Sequence, residues 1–557
     1  MTSPPERHAA LYVLQRWREL CSGTGPWWTR GTEVGIRLRL AELHDLSEAN
    51  RDGAIRLNRV VEKLVEEVKA LLASDDPYLA ERFPEIREYA TKLKHTSTKA
   101  FVPGALGPGL LKSSLDHLHR PEYVQGLVAH LAAFVESAGH SQADFRRLDD
   151  LVCRLEAELV YDRHSRSWRD AVLTEVEERY AKDGSLADAI LGTLKAHHHG
   201  RIREFVVLTP LAGLSEASNT ARLRGIQVQP AIEIVREWAP ENADEVLATI
   251  SAADAISHFP DVEAADAEGA VRIVDRQLRS AVGAWRLMGR EVADPAVAVV
   301  YDTHTRETHV LELPSEPLEV RPLGVEQWLP DEHDPGGRLN DALDQLAQAR
   351  TAPPQTAFVD LWTAADALYG GVADDPGWHA GEVMAGLGQF VYVRDVHKWL
   401  AGRAEAAGLG AAPEGGEVEW IVDQLTSNAP ALDKALAEAG DAIGWSRLKL
   451  ITAWDGGWGL RNDFDRLVER LVSVCDRAYL IRNFAVHRAE VRGPALEIVL
   501  PAFAGLVAAA VGHSLAAKPD DTLTDALAAG LAARGVAYDF KANRSEAPGG
   551  LEPMLNA

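Results

Sequence analysis

The stretch "RLVERLVSVCDRAYLIRNFAVHRAEV" covers residues 466–491. Its reading decides the fold. A helix turns by roughly 100° per residue. Phe464, Leu467, Val468, Leu471, Val474, Cys475, Ala478, Ile481 and Ala485 recur at three- and four-residue spacing. They make one apolar stripe, which predicts a long helix facing a bundle core. Asp476, Tyr479, Leu480, Asn483 and His487 fall on a second stripe. Asn483 and His487 are four apart, so they point the same way. Arg482 sits between the stripes, and its long side chain reaches either. A half-apolar second face that holds polar groups suits contact with a helix of another copy.

The same periodicity extends outward from this helix. From about residue 356 the chain reads as helical, in "TAFVDLWTAADALYGG", "QFVYVRDVHKWLAGRAEAAG", "GEVEWIVDQL" and "ALDKALAEAGDAI". The alanine-rich run "ALEIVLPAFAGLVAAAVGHSLAA" follows residue 493. It carries Glu497, Pro501 and His513, so it reads as a buried bundle helix and not as a membrane span. Residues 350–520 are therefore expected to form a bundle of four principal helices with shorter insertions. Residues 1–200 also read as helical, from "NRVVEKLVEEVKALLA", "EYVQGLVAHLAAFVESA" and "FRRLDDLVCRLEAELVYD". The loop "FVPGALGPGLLKSS" interrupts them. Residues 201–337 change texture. "EFVVLTPLAGL" and "GIQVQPAIEIV" are short β-branched runs, and "AVAVVYDTHTRETHVLELP" reads as a hairpin. This is a small α+β middle domain, a candidate sensor, ending near "PDEHDPGG". "RLNDALDQLAQARTAPPQ" is a linker helix that stops before Pro353. Residues 521–557 make a tail with one short helix, "DTLTDALAAGLAARG". The expected fold class is mainly α, a C-terminal four-helix bundle preceded by a helical region and the α+β domain.

Composition bounds the chemistry. The chain has 557 residues, too many for one core. Three cysteines, Cys21, Cys153 and Cys475, show no metal or redox spacing. They fit a reducing cytoplasm. Charges precede any apolar run at the start, so no secretory signal is expected. The net charge of −25 opposes nonspecific phosphate binding, so contact with nucleic acid must be local. No phosphate-cradling loop with Lys-Ser/Thr, no GxSxG and no HExxH occurs, and no cofactor is implied.

Arg482, Asn483 and His487 offer a guanidinium, an amide and an imidazole. A guanidinium clamps a phosphate with two parallel hydrogen bonds. An imidazole passes protons near neutrality. An amide orients either one. The set fits metal-independent RNA cleavage, in which the ribose 2′-hydroxyl attacks its own phosphate.

"RNFAVH" (Arg482 to His487) resembles the signature of the HEPN superfamily, an Arg, a polar residue, then a His after four to six intervening residues. "FVDLWTAADALYG" is similar to the first helix of the ApeA-like branch, where an acidic residue follows an aromatic-rich turn; here that residue is Asp366. The resemblance covers about the last third of the chain. It implies an endoribonuclease with Arg482 and His487 catalytic and Asn483 supporting, Asp366 and Tyr479 being further supporting positions. It also implies a homodimer that shares one cleft through the bundle. Antiphage defence by a toxin-like RNA attack follows from that branch, with a phage-derived trigger and restraint by the N-terminal region. A different class is a noncatalytic HEPN-type dimerisation or sensor module. In that reading Arg482 pairs with a carboxylate such as Asp366, and His487 caps a carbonyl.

Other histidines have plainer readings. His197, His198 and His199 in "KAHHHGR" point in different directions, a poor metal site and a good solvated helix end. "DHLH" (Asp116 to His119) and the turn residues His304 and His309 read as surface. "YDRHSRSWRD" gathers Arg163, His164, Arg166 and Arg169, a solvated loop and helix start or a patch for phosphates. A metal hydrolase built on scattered His is the weakest reading. Trp362 and Trp420 sit at core spacing.

Overall fold

The computed structural model describes residues 5–22, 25–26, 28, 35–51, 64, 66–68, 121–137, 142–197, 202–212, 227–229, 255–287, 292–293, 295–313, 337–369, 379–413, 415–452, 458–488 and 493–515. The loop at 101–114, "DHLH", His198, His199, most of "NRVVEKLVEEVKALLA" and the tail 521–557 lie outside them. So does the side chain of His487.

The chain forms two compact units. The larger comprises Met1–Glu158, Arg179–Ile190 and Leu318–Ala557, and the smaller Leu159–Glu178 and Leu191–Pro317. The N-terminal helices and the C-terminal bundle, separate stretches in the sequence, thus belong to one unit.

Helices α1 (Pro5–Ser22), α2 (Ile36–Arg51), α3 (Pro121–Ser137) and α4 (Gln142–Tyr161) open the chain, followed by α5 (Arg166–Asp183) and α6 (Leu186–Ala196). α3 starts on a proline with Glu122 in its first turn, where a missing N–H costs nothing and a negative charge meets the helix dipole.

The smaller unit holds a five-stranded antiparallel sheet, β1 (Arg203–Leu211), β2 (Gln227–Gln229), β3 (Ala255–Ala264), β4 (Val297–Asp302) and β5 (Thr308–Glu312). Its spatial order is β2-β3-β1-β4-β5. The predicted hairpin is β4–β5, with Val300 opposite His309. Helix α7 (Ala267–Leu287) covers one face, packing Val274, Leu278 and Trp285 against Phe205, Val207 and Val300. "YDRHSRSWRD" departs from expectation in part. Arg163 and Arg166 are exposed, but His164 and Arg169 are buried. Arg169 donates to the His164 carbonyl at 2.5 Å, and His164 stacks on Trp168. His197 meets Glu175 at 2.7 Å.

The larger unit carries α8 (Arg338–Thr351), α9 (Pro354–Tyr369), α10 (His379–Ala406), α11 (Glu417–Ser427), α12 (Ala429–Glu438), α13 (Ala442–Thr452), α14 (Trp458–Arg488) and α15 (Gly493–Leu515). α8 stops before Pro353, as its sequence predicts. α9, α10, α14 and α15 pack on one another as the four principal helices, with α11–α13 inserted. The turn after α12 needs Gly440 at φ 69°, which lets the Asp441 amide reach back to the Leu436 carbonyl at 3.0 Å. α15 is apolar enough to cross a membrane by composition, yet 72% of its apolar window is buried in the protein. Val499, Phe503, Leu506 and Val511 at its centre are fully enclosed, so it is the core helix of the bundle.

Ion pairs tie the N-terminal helices to one another and to this bundle. Arg477 of α14 is buried and reaches Glu67 at 2.6 Å and Glu42 of α2 at 3.3 Å. Arg39 shares Glu67. Arg16 of α1 holds Asp149 of α4 at 2.6 Å, and Arg470 of α14 holds Asp150 at 3.0 Å. Arg403 of α10 reaches Glu19 at 2.8 Å. Burial alone would raise the Asp149 carboxyl; Arg16, Arg470 and Arg447 outweigh it and hold it well below the usual carboxylate range. A buried guanidinium stripped of its partner is costly. Asp149→Ala is expected to lose about 3–5 kcal/mol in urea unfolding at pH 7. A depressed carboxyl contributes stability above its unfolded value of 3.8 and loses it as pH falls through the lower folded value. The gap between wild type and Asp149→Ala should therefore narrow as the pH falls below 3.8 toward the folded value.

Candidate functional site

The site lies at the C-terminal part of α14. Here the structure corrects one expectation. The second stripe of α14 does not face outward along its length: Asp476, Leu480 and Asn483 are buried within the subunit. Arg477, on the same helix, is buried as well and pairs with Glu42 and Glu67 of the N-terminal region. Tyr479, Arg482, Phe484 and Ala485 remain half-exposed. Among the described residues, the surface left near the end of α14 is these four side chains.

Arg482 and Asn483 meet directly. The Arg482 Nη1 donates to the Asn483 Oδ1 at 3.0 Å. This fixes the amide with its oxygen toward the guanidinium. Asn483 is 5% exposed, and its buried Nδ2 has no hydrogen-bond partner among the described residues. An orphan buried donor costs about 1–3 kcal/mol, and in a native fold it calls for a reason. Among the described residues Arg482 forms no ion pair. Its remaining N–H groups are not consumed by a carboxylate.

Asp366 lies half-buried on α9. Burial raises its carboxyl above the usual range, and Trp362 and Arg482 offset that only in part. The guanidinium therefore acts on Asp366 through space without pairing with it. Tyr479 packs its ring on Trp362 at 5.3 Å and 51°. Trp362 stacks in turn on Phe503 at 5.9 Å, and Phe503 on Phe358 at 5.3 Å. An aromatic column thus runs from the bundle core to Tyr479. His487 is in α14, one turn beyond Asn483, with its side chain outside the described residues.

No group of three or more His, Cys, Asp and Glu with metal-holding geometry occurs among the described residues. A shallow cleft with room for about one water molecule is lined by Arg16, Glu19, Trp28, Trp399 and Arg447. Arg16 and Glu19 are already committed to ion pairs there, and none of the motif residues lines it. Sequence periodicity gives no sign of the aromatic column or of the Arg477 clamp, because both depend on partners far along the chain. Comparison with protein-family models, with curated proteins and with solved structures finds no match to this chain.

Asp366 supplies a test of the site's electrostatics. A carboxyl raised on folding makes the native state hold its proton to higher pH, so stability falls as pH rises through the interval above 3.8. Asp366→Asn removes that burden. The variant's melting temperature should gain on wild type between pH 3.5 and pH 7. A difference independent of pH would show that the buried charge is not the cause.

Proposed function

We propose that this chain is a HEPN-type, metal-independent endoribonuclease whose site is built on Arg482 and His487. The observation that carries the reading is the state of Arg482. It is half-exposed, held by the Asn483 amide, and free of any carboxylate partner among the described residues. A guanidinium with a structural duty would be spent on Asp366, and it is not.

In this reading Arg482 takes the scissile phosphate through paired N–H groups. His487 removes the proton from the ribose 2′-hydroxyl as that oxygen attacks phosphorus. The new O2′–P bond displaces the 5′-oxygen, which takes a proton as it leaves. The products are a 2′,3′-cyclic phosphate end and a 5′-hydroxyl end. Charge on the phosphorane is met by Arg482, and no metal is required. Asn483 keeps the guanidinium in position. A second copy brings its own motif to the strip at the end of α14, completing a shared cleft. The protein works in the cytoplasm, in defence against phage, and a phage-derived trigger lifts its restraint. That restraint runs through Arg477, five residues before Arg482, which α2 and Glu67 grip.

A second reading has one observation in its favour. The burial of Asp476, Leu480 and Asn483 suits a bundle that kept its packing and lost turnover. RNA incubated with the purified protein in EDTA separates the two. Cleavage should fall by about 10²-fold or more in Arg482→Ala and in His487→Ala. Undiminished cleavage in both variants removes the site, and a dimer inert toward RNA favours the second reading. Weakening the grip on Arg477 with Glu42→Gln should raise cleavage by untriggered protein. A rate no higher than wild type, in a variant whose thermal melt remains cooperative, would discard the restraint.

A further inference from the structure

The proposed chemistry leaves Tyr479 without a duty. It sits three residues before Arg482, so the two side chains are neighbours on one helix surface, with Cβ atoms about 5–6 Å apart. Both are half-exposed. Tyr479 makes no hydrogen bond among the described residues, so its position is set by ring packing alone. That packing is rigid. Trp362 braces the Tyr479 ring at 5.3 Å, and Phe503 and Phe358 brace Trp362 in turn. Those three are each 3% exposed or less, whereas Tyr479 is half-exposed. The column thus ends beside a guanidinium that has no carboxylate partner among the described residues.

We propose that Tyr479 is the base-reading residue of this site. Its braced ring stacks on a nucleobase while Arg482, one turn on, takes that nucleotide's phosphate. The proposal deepens the nuclease reading, on which it rests for the identity of the substrate. An aromatic side chain stacks on any base because every base has a π-face, so the contact gives affinity for unpaired nucleotides without fixing a sequence. A braced ring loses little freedom on binding, which favours the contact. An acidic chain that repels phosphate overall gains from a contact that does not depend on charge. The substrate class is therefore single-stranded RNA with an unstacked base at the cleavage position, in preference to duplex.

The test is calorimetric titration of the full chain with adenosine 5′-monophosphate and, separately, with ribose 5-phosphate. Base stacking should make the nucleotide bind about 5- to 150-fold tighter than the sugar phosphate. Tyr479→Leu should abolish that preference and leave sugar phosphate binding unchanged. Tyr479→Phe should keep the preference, because the ring is what stacks. Arg482→Ala should weaken both ligands. Equal affinity of wild type for the two ligands, or no binding of either, overturns the proposal without any variant having to fold. A preference that survives Tyr479→Leu overturns it too. A protein that keeps the preference but never cuts RNA upholds base reading while the nuclease reading fails. One that cuts RNA with equal efficiency as wild type and as Tyr479→Leu does the reverse.

Discussion

Arg477 is a guanidinium placed in the interior of a long helix and sealed from water. Such a charge cannot be left alone, because the cost of an unpaired buried ion far exceeds that of a lost surface contact. Its answers come from Glu42 and Glu67, more than four hundred residues away along the chain. The demand is mutual. Burial raises Glu42 despite Arg477 and Arg39, while for Glu67 the same two guanidiniums overcome burial and lower its carboxyl. The network fixes how the N-terminal helices lie along α14. Everything at the end of α14 inherits that arrangement.

The consequence for the site is one of exposure. With one side of α14 turned to the bundle and Arg477 gripped by Glu42 and Glu67, the described residues near its end leave a narrow strip open. Tyr479 and Arg482 occupy the strip, and Asn483 lies beneath it. The Asn483 amide is then a link between interior and surface, its oxygen spent on Arg482 and its nitrogen without a partner among the described residues. Arg482 is held by that oxygen in a half-exposed position.

The bundle explains why the aromatic column ends where it does. α15 is so apolar that its whole circumference wants cover, and Phe503 at its centre collects Phe358 and Trp362 from α9. Trp362 reaches the edge of that core, and Tyr479 is the next ring outward. The same burial that stabilises the bundle thus sets a flat ring beside the guanidinium. Stability and presentation of the site come from one packing arrangement.

Much of the fold was legible in the residues alone. Period determined the long helices, so α3, α4, α8 and α14 fall where their apolar spacing puts them, and turn chemistry marked the β4–β5 hairpin. The pairing of Arg482 with the adjacent Asn483 amide was not legible, since neighbours in sequence leave a helix about 100° apart and only the long Arg side chain closes the gap. What the sequence could not decide was which polar side chains would be covered. His164, Arg169 and Asn483 read as surface or outward groups and are buried, because burial is set by whatever segment arrives from elsewhere in the chain. Local spacing fixes the direction in which a side chain leaves its helix. Only the tertiary structure decides what stands in its way, since that depends on long-range contacts whose partners carry no local mark.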